Sequence, residues 1–357
     1  MKRRDFLKIG LLVLPTLAAC QSLAVAGRKF DAVVGRDGND DSSAPVFNNI
    51  KAAIASAPAN GTRPFRIKIS RGFWREKIII DKPNIHLVGE GRDDCIISFD
   101  VAAGMLQPDG TPWGTWGCAS VIVRAKNFRA ENLRIENSFD YIGNMQKPKF
   151  EVIGPNGAQA VALMLDKACD NTVLENVDLA GHQDTLFVDA GRSVFRDCRI
   201  SGSVDFIFGA GEAFFEDCKI ISRFRPGKER QGYIAVPSTL DSQTRGLIFH
   251  RCRLLREAEV PDASVALGRA WRPGKTFLDG KYGDPSVLGT AVFLSCWMDK
   301  HIDSKGWDAM AYTNRNGQRV MLQPETARLF EYDSRGPGAV HSPTRRWLNE
   351  TQAAIYK

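Results

Sequence analysis

An all-β, single-domain right-handed parallel β-helix is the fold this sequence predicts, on three observations. A phrase recurs: AENLRI from Ala130, LENVDL from Leu174, FRDCRI from Phe195, FEDCKI from Phe215, FHRCRL from Phe249 and FLSCWM from Phe293. The starts step by 44, 21, 20, 34 and 44 residues. That is a unit of about twenty, sometimes doubled or carrying a loop, as expected when each rung needs three short strands and three turns. Second, from Phe65 onward short β-branched and aromatic runs are broken by Gly, Asn and Asp, the punctuation of strands. Third, Asp184 follows Leu174 by ten residues and Asp205 follows Phe195 by ten, so two acids share the phase of the phrase. A β-sandwich alternates strand direction and would not repeat a phrase in phase.

Taken in order, residues 1–19 read as a signal peptide. The start is basic, the middle is a short apolar run, and small residues precede Cys20. Arg3-Arg4-Asp5-Phe6-Leu7-Lys8 resembles a twin-arginine export signal, and Leu17-Ala18-Ala19-Cys20 resembles a lipobox, so a lipid anchor at Cys20 is expected. An ordinary cleaved signal with an incidental cysteine is the alternative. The expectation is an exported protein tied to the cell envelope, in the outer membrane, with the anchor as its only membrane contact. Residues 20–29 form a polar linker, and residues 30–357 one domain. FDAVVG from Phe30 is the first strand. In the following PVFNNIKAAIASAPA, positions Val46, Phe47, Ile50, Ala53, Ile54 and Ala57 fall at helical spacing with Pro45 in the first turn, which predicts a capping helix. Helical periodicity returns from Arg345 to Ile355, predicting a terminal helix against the coil.

An apolar share of 43% over 357 residues supports a sizeable core. The net charge of +7 includes a leader with four basic residues and one acidic, so the remainder is only mildly basic. This suits an acidic polymer and gives no reason to expect a nucleic-acid partner. Cys198 and Cys218, twenty residues apart in the repeated phrase, would stack on such a coil, and a disulfide between them is expected. Buried unpaired thiols are the alternative. His86, His182, His250, His301 and His341 form no ligand pair, so no metal or other cofactor is expected.

The repeat also gathers polar groups. Gln159, Gln183 and Asp184, and Asp205 lie on three successive rungs, the steps from Gln159 to Gln183 and from Asp184 to Asp205 being 24 and 21. Two carboxyls one rung apart cannot both ionise freely, which divides them into a proton donor and a charged nucleophile. Two amides beside them suit an oxyanion. Arg269 in VALGRAW supplies the cation that keeps Asp205 charged. Trp271, two residues on, lies on the same side of the strand, where an indole suits a sugar ring.

These residues resemble the pectin methylesterases. The likeness runs from FDAVVG through GFWRE, QAVAL, GHQDTLF, GSVDFIFG and LGRAW to GWDAM and RGPGA, and is nearest the bacterial secreted branch. It implies a β-helix hydrolase that removes methyl groups from esterified galacturonan without metal or cofactor, with the polysaccharide as its partner and acting as a monomer. Carried over by position, Asp205 is the nucleophile and Asp184 the general acid and then base. Gln159 and Gln183 are the oxyanion donors, and Arg269 and Trp271 bind substrate. Thr115 in GTWG, Val204, Phe208 and Met310 are further groove residues. Trp74, Phe187 and Ala270 depart from the family's usual Tyr, Tyr and Pro, which bears on subsites rather than on the reaction. A pectate lyase or polygalacturonase, a non-catalytic envelope carbohydrate-binding β-helix, and an esterase or thioesterase for another acyl group are the alternatives. A lyase needs a calcium site that the acidic residues do not suggest.

Overall fold

The computed structural model describes residues 29–35, 44–148, 153 and 157–357. The expected signal peptide, nearly all of the expected linker and Cys20, the expected anchor position, lie outside them. Each turn of the chain contributes one strand to each of three parallel sheets, of eleven, eight and seven strands. These wrap around one continuous apolar core. Among the described residues no helix is long and apolar enough to cross a membrane.

The repeated phrase is a corner of the coil. Ala130, Leu174, Phe195, Phe215, Phe249 and Phe293 are direct register partners in successive strands. None of the steps is doubled. Each 44-residue step is a single rung whose extra residues leave the coil as a loop, since loop closure costs little more for a long excursion than for a short one. Two residues after each partner the chain turns with a left-handed backbone, at Asn132, Asn176, Asp197, Asp217, Arg251 and Ser295 (φ between 50 and 56°, save Asp197 at 48°). Asn and Asp dominate because their short polar side chains tolerate this region better than most L-residues. Some of them bond from rung to rung, as Asn176 Nδ2 does to Asn132 Oδ1 at 2.7 Å. Inside the corner, Phe195, Phe215, Phe249 and Phe293 stack face to face at 4.4–4.7 Å, close to the strand spacing itself.

Cys198 and Cys218 stack as the spacing predicts, but both are free thiols in the interior, as are Cys252 and Cys296 above them. The expected bridge is therefore corrected. Side chains on in-register parallel strands point the same way about 4.8 Å apart, wider than the ~3.8 Å between Cβ atoms that a disulfide prefers. Each thiol instead turns to a carbonyl oxygen, Cys198 to Leu174 (3.6 Å) and Cys218 to Phe195 (3.4 Å).

Both terminal helices are shorter than periodicity predicts. Val46 and Phe47 are a strand paired with Val33 and Val34, and α1 spans only Ile50–Ala55, capped by Asn49 through its bond from Ala52 N (2.8 Å). Its first amides, on Ile50 and Lys51, reach the Glu76 carboxylate at 2.8 and 3.1 Å, favourable for a charge at a helix N-terminus. Ile50, Ala53 and Ile54 close that end of the core. At the other terminus a helix covers only Glu350–Ala353, followed by one tight turn at Ala354–Tyr356. Ala353 and Tyr356 pack on the outside of the eleven-stranded sheet against Ile248, Val292 and Leu294. The residues before it are extended and anchored by Arg345, whose Nε bonds Glu331 Oε1 at 2.6 Å with both side chains fully buried. Arg345 Nη1 donates to the Gly338 carbonyl (2.7 Å).

Titrating the unfolded protein under non-reducing conditions is expected to count all seven cysteines between Cys95 and Cys296 as free thiols; a count of five would restore the disulfide. Arg345→Met strands a buried carboxylate and is expected to lower the unfolding free energy by about 3–5 kcal/mol in urea titrations.

Candidate active site

The site sits where the seven-stranded sheet begins. Leu186 pairs with Ile207, so Asp184 and Asp205, each two residues earlier, occupy equivalent places on consecutive rungs, and the Asp184 amide bonds the Val204 carbonyl at 3.0 Å. Both have left-handed backbones, with φ of 64° and 53°, a conformation that tends to be kept at functional positions. Gly209 ends the second phrase because a Cβ there would lie 1.9 Å from the Val188 carbonyl oxygen.

Equivalent geometry is met by unequal surroundings. Arg269 forks onto Asp205, Nε to Oδ1 at 3.0 Å and Nη2 to Oδ2 at 2.7 Å, a two-bond pairing that holds a carboxylate in one orientation. The guanidinium lies 3.7 Å above the Tyr233 ring centroid, and Tyr233 is the register successor of Asp205 on the next rung. Asp184 has no such fork. Burial pushes its carboxyl well above the usual range, the neighbouring Asp205 charge adds to this, and Arg269 only partly opposes it. One acid is thus paired with a cation, and the other is biased by burial toward its protonated form.

Gln159, Gln183, Val204, Asp205, Arg269 and Met310 line one groove of about 640 Å³. The strand step beside Gln159 is 23 residues, Leu163 to Leu186, so Gln159 stands one place before the register partner of Gln183 and not level with it. Both amides still face the groove, and Gln159 Oε1 has no hydrogen-bond partner. Phe208, Trp271 and Thr115 are not in that cavity. Phe208 and Trp271 belong to an apolar platform on the outward face of the same sheet, and Thr115 is half-buried in the loop that precedes this platform's first strand.

Sequence reasoning missed several groove residues. Tyr141 and Asn144 are on α2 (Tyr141–Gln146), whose N-cap Asp140 accepts from Gly143 N at 2.8 Å. The Asp-x-x-Gly spacing was its available signal. Tyr141 stacks on His182 at 5.1 Å. Arg225, Lys228 and Arg319 add positive charge to the groove wall, from a loop and a hairpin that no repeat announces.

A parallel β-coil that sets an arginine-held aspartate next to a buried aspartate and two amides fits the class of carboxylic ester hydrolases. The comparisons carry this to a family. The pectinesterase family model matches residues 31–354. Pectinesterase A of Dickeya dadantii is 43% identical over 344 residues, covering 95% of this chain and 92% of that one. The solved pectin methylesterase PemA from Erwinia chrysanthemi superposes with a TM-score of 0.88 at 43% identity, covering 93% of this chain and 96% of its own. A pectin methylesterase solved in complex with a hexasaccharide gives 0.87 at 42%, with the same coverage. The chain belongs to the pectinesterase family and is an enzyme, a carboxylic ester hydrolase. The lyase and non-catalytic alternatives fall with that membership.

The proton on Asp184 has a consequence for stability. The folded protein keeps it to higher pH than the unfolded chain does, so unfolding releases a proton and stability falls as pH rises above the ordinary carboxyl range. Asp184→Asn removes this penalty. Its melting temperature is expected to exceed that of the wild type by a few degrees at neutral pH, the gap closing below about pH 4. A variant no more stable than the wild type at neutral pH would show that Asp184 is ionised in the fold.

Proposed function

We propose that the protein removes methyl groups from methyl-esterified galacturonan, releasing methanol, with Asp205 as nucleophile and Asp184 as proton carrier. The observation that carries the assignment is the asymmetry of the pair: Arg269 grips both oxygens of Asp205, while burial keeps the proton on Asp184. An Asp205 oxygen attacks the ester carbonyl carbon. The carbonyl electron pair moves onto oxygen, where the Gln159 and Gln183 amides receive it. As the intermediate collapses, the C–O bond to the methoxy group breaks and Asp184 gives its proton to the departing methanol. An anhydride now joins Asp205 to the sugar carboxyl. Asp184, now charged, takes a proton from water; the hydroxide adds to the sugar carbonyl of the anhydride, the bond from that carbon to the Asp205 oxygen breaks, Asp205 departs as a carboxylate, and the galacturonic acid product loses its proton to solvent, so both aspartates return to their starting states.

The groove supports an acidic polymer as substrate. Arg225, Lys228 and Arg319 offer cations to carboxylates already freed along the chain, and Trp271 beside the platform offers a flat apolar face. Thr115, Val204 and Met310 are assigned to substrate contact on the same reading, and Phe208, covered at 3% exposure, supports the platform beneath Trp271. Export, a lipid anchor at Cys20 and attachment to the outer membrane rest on the first twenty residues, and a monomer is the working form. Residues 30–357 act as one domain.

Asp205→Asn preserves shape and removes the nucleophile. It is expected to lower methanol release from methylated pectin by about three orders of magnitude or more while leaving the circular dichroism spectrum unchanged. Turnover near the wild-type level would overturn the assignment.

A further inference from the structure

We infer that Trp116 is a sugar-stacking residue that extends the substrate groove toward the N-terminal rungs, on the side of the aspartates away from Trp271. The inference rests on the pectin-hydrolase reading above. Phe187 follows Asp184 by three residues and Phe208 follows Asp205 by three, so each acid is tied to a ring on the outward face of its own strand. The two rings stack at 4.2 Å and 13°. Trp271 meets Phe208 edge-on at 6.0 Å, and Trp116 meets Phe187 edge-on at 5.3 Å. Trp271 follows the strand Val265–Gly268, two rungs beyond Ile207–Gly209, whereas Trp116 precedes Val121–Val123, two rungs before Leu186–Val188. The four rings therefore form one row along the coil, with the catalytic rungs in the middle.

Within that row the two phenylalanines are covered, at 0% and 3% exposure, while Trp116 is 47% exposed. The phenylalanines support and the indole presents. The presentation is rigid. Trp116 lies within the turn at residues 115–117. Its loop is braced by Cys118 N to Gly114 O (3.0 Å) and by Lys77, whose ammonium bonds the Ala119 carbonyl and lies 5.0 Å over the Trp113 ring. An aromatic face pre-positioned by a braced loop binds the C–H face of a pyranose at little entropic cost. The occupant is a galacturonan ring on the same polymer, beyond the one being demethylated.

The test compares wild type, Trp116→Ala and Trp116→Phe on methylated trigalacturonide and on longer methylated oligogalacturonides, measuring methanol release. Trp116→Ala is expected to raise KM about fivefold on the long substrates, with kcat unchanged and no effect on the trimer, which is too short to reach both indoles. Trp116→Phe is expected to recover most of the loss. An unchanged KM on long substrates, an equal change on trimer and long chain, or a fall in kcat alone would overturn the subsite. If the wild type released no methanol from any of them, the pectin reading itself would fail and the subsite with it.

Discussion

Parallel pairing in a fixed register is the constraint on which everything else in this molecule depends. A residue placed at a given corner of one rung must be matched at that corner in the next, so additional chain can enter only by leaving the coil. The long excursions are accordingly displaced outward, and they supply function. The step from Ala130 to Leu174 carries α2 with Tyr141 and Asn144. The step from Phe249 to Phe293 carries Arg269, Trp271 and the hairpin of Gly274–Phe277 with Gly280–Gly283. The coil repeats, and the groove is built from what does not.

The same constraint explains how two identical residues come to have different chemistry. Register delivers Asp184 and Asp205 with matching backbones, and neither rung by itself distinguishes them. The distinction comes from the third and later rungs, where Tyr233 floors the guanidinium of Arg269 and Arg269 reaches one acid only. A shared proton between carboxyls needs such a bias to have a definite owner. His182, stacked on Tyr141 beside Gln183 and held neutral by burial down to about pH 3, leaves Arg269 as the cation that supplies this bias.

Stacking also sets what the interior will accept. Like side chains recur at one height after another, which suits flat rings at 4.4–4.7 Å and leaves thiols side by side but too far apart to join easily. A ladder of reduced cysteines and a ladder of phenylalanines are thus two results of one spacing. Trp74 belongs to the same interior: it is buried and its indole bonds the Ser70 carbonyl at 3.0 Å. It sits on the end strand of the eight-stranded sheet, away from the groove.

Much of this was legible in the chain because a periodic fold writes its period into the sequence. The phrase around Phe195, Phe215, Phe249 and Phe293 and the common phase of Asp184 and Asp205 follow from counting residues along one repeating unit, while Arg269 was reached through the need of a buried acid for a cation. The helix boundaries did not, because strand pairing claimed Val46 and Phe47 and the Glu331–Arg345 pair held the approach to the last helix extended. Nor did the absence of the disulfide, since the interval shows which residues stack but not that stacked side chains stay a full strand spacing apart. Tyr141, Arg225 and Arg319 were beyond reach for a further reason: they lie on excursions of unequal length, and only the folded coil decides where such loops return. Sequence alone determined the rungs and the acids they carry; the tertiary structure decided which acid keeps the proton and what walls the groove, because burial and partners are properties of neighbours that no interval along the chain records.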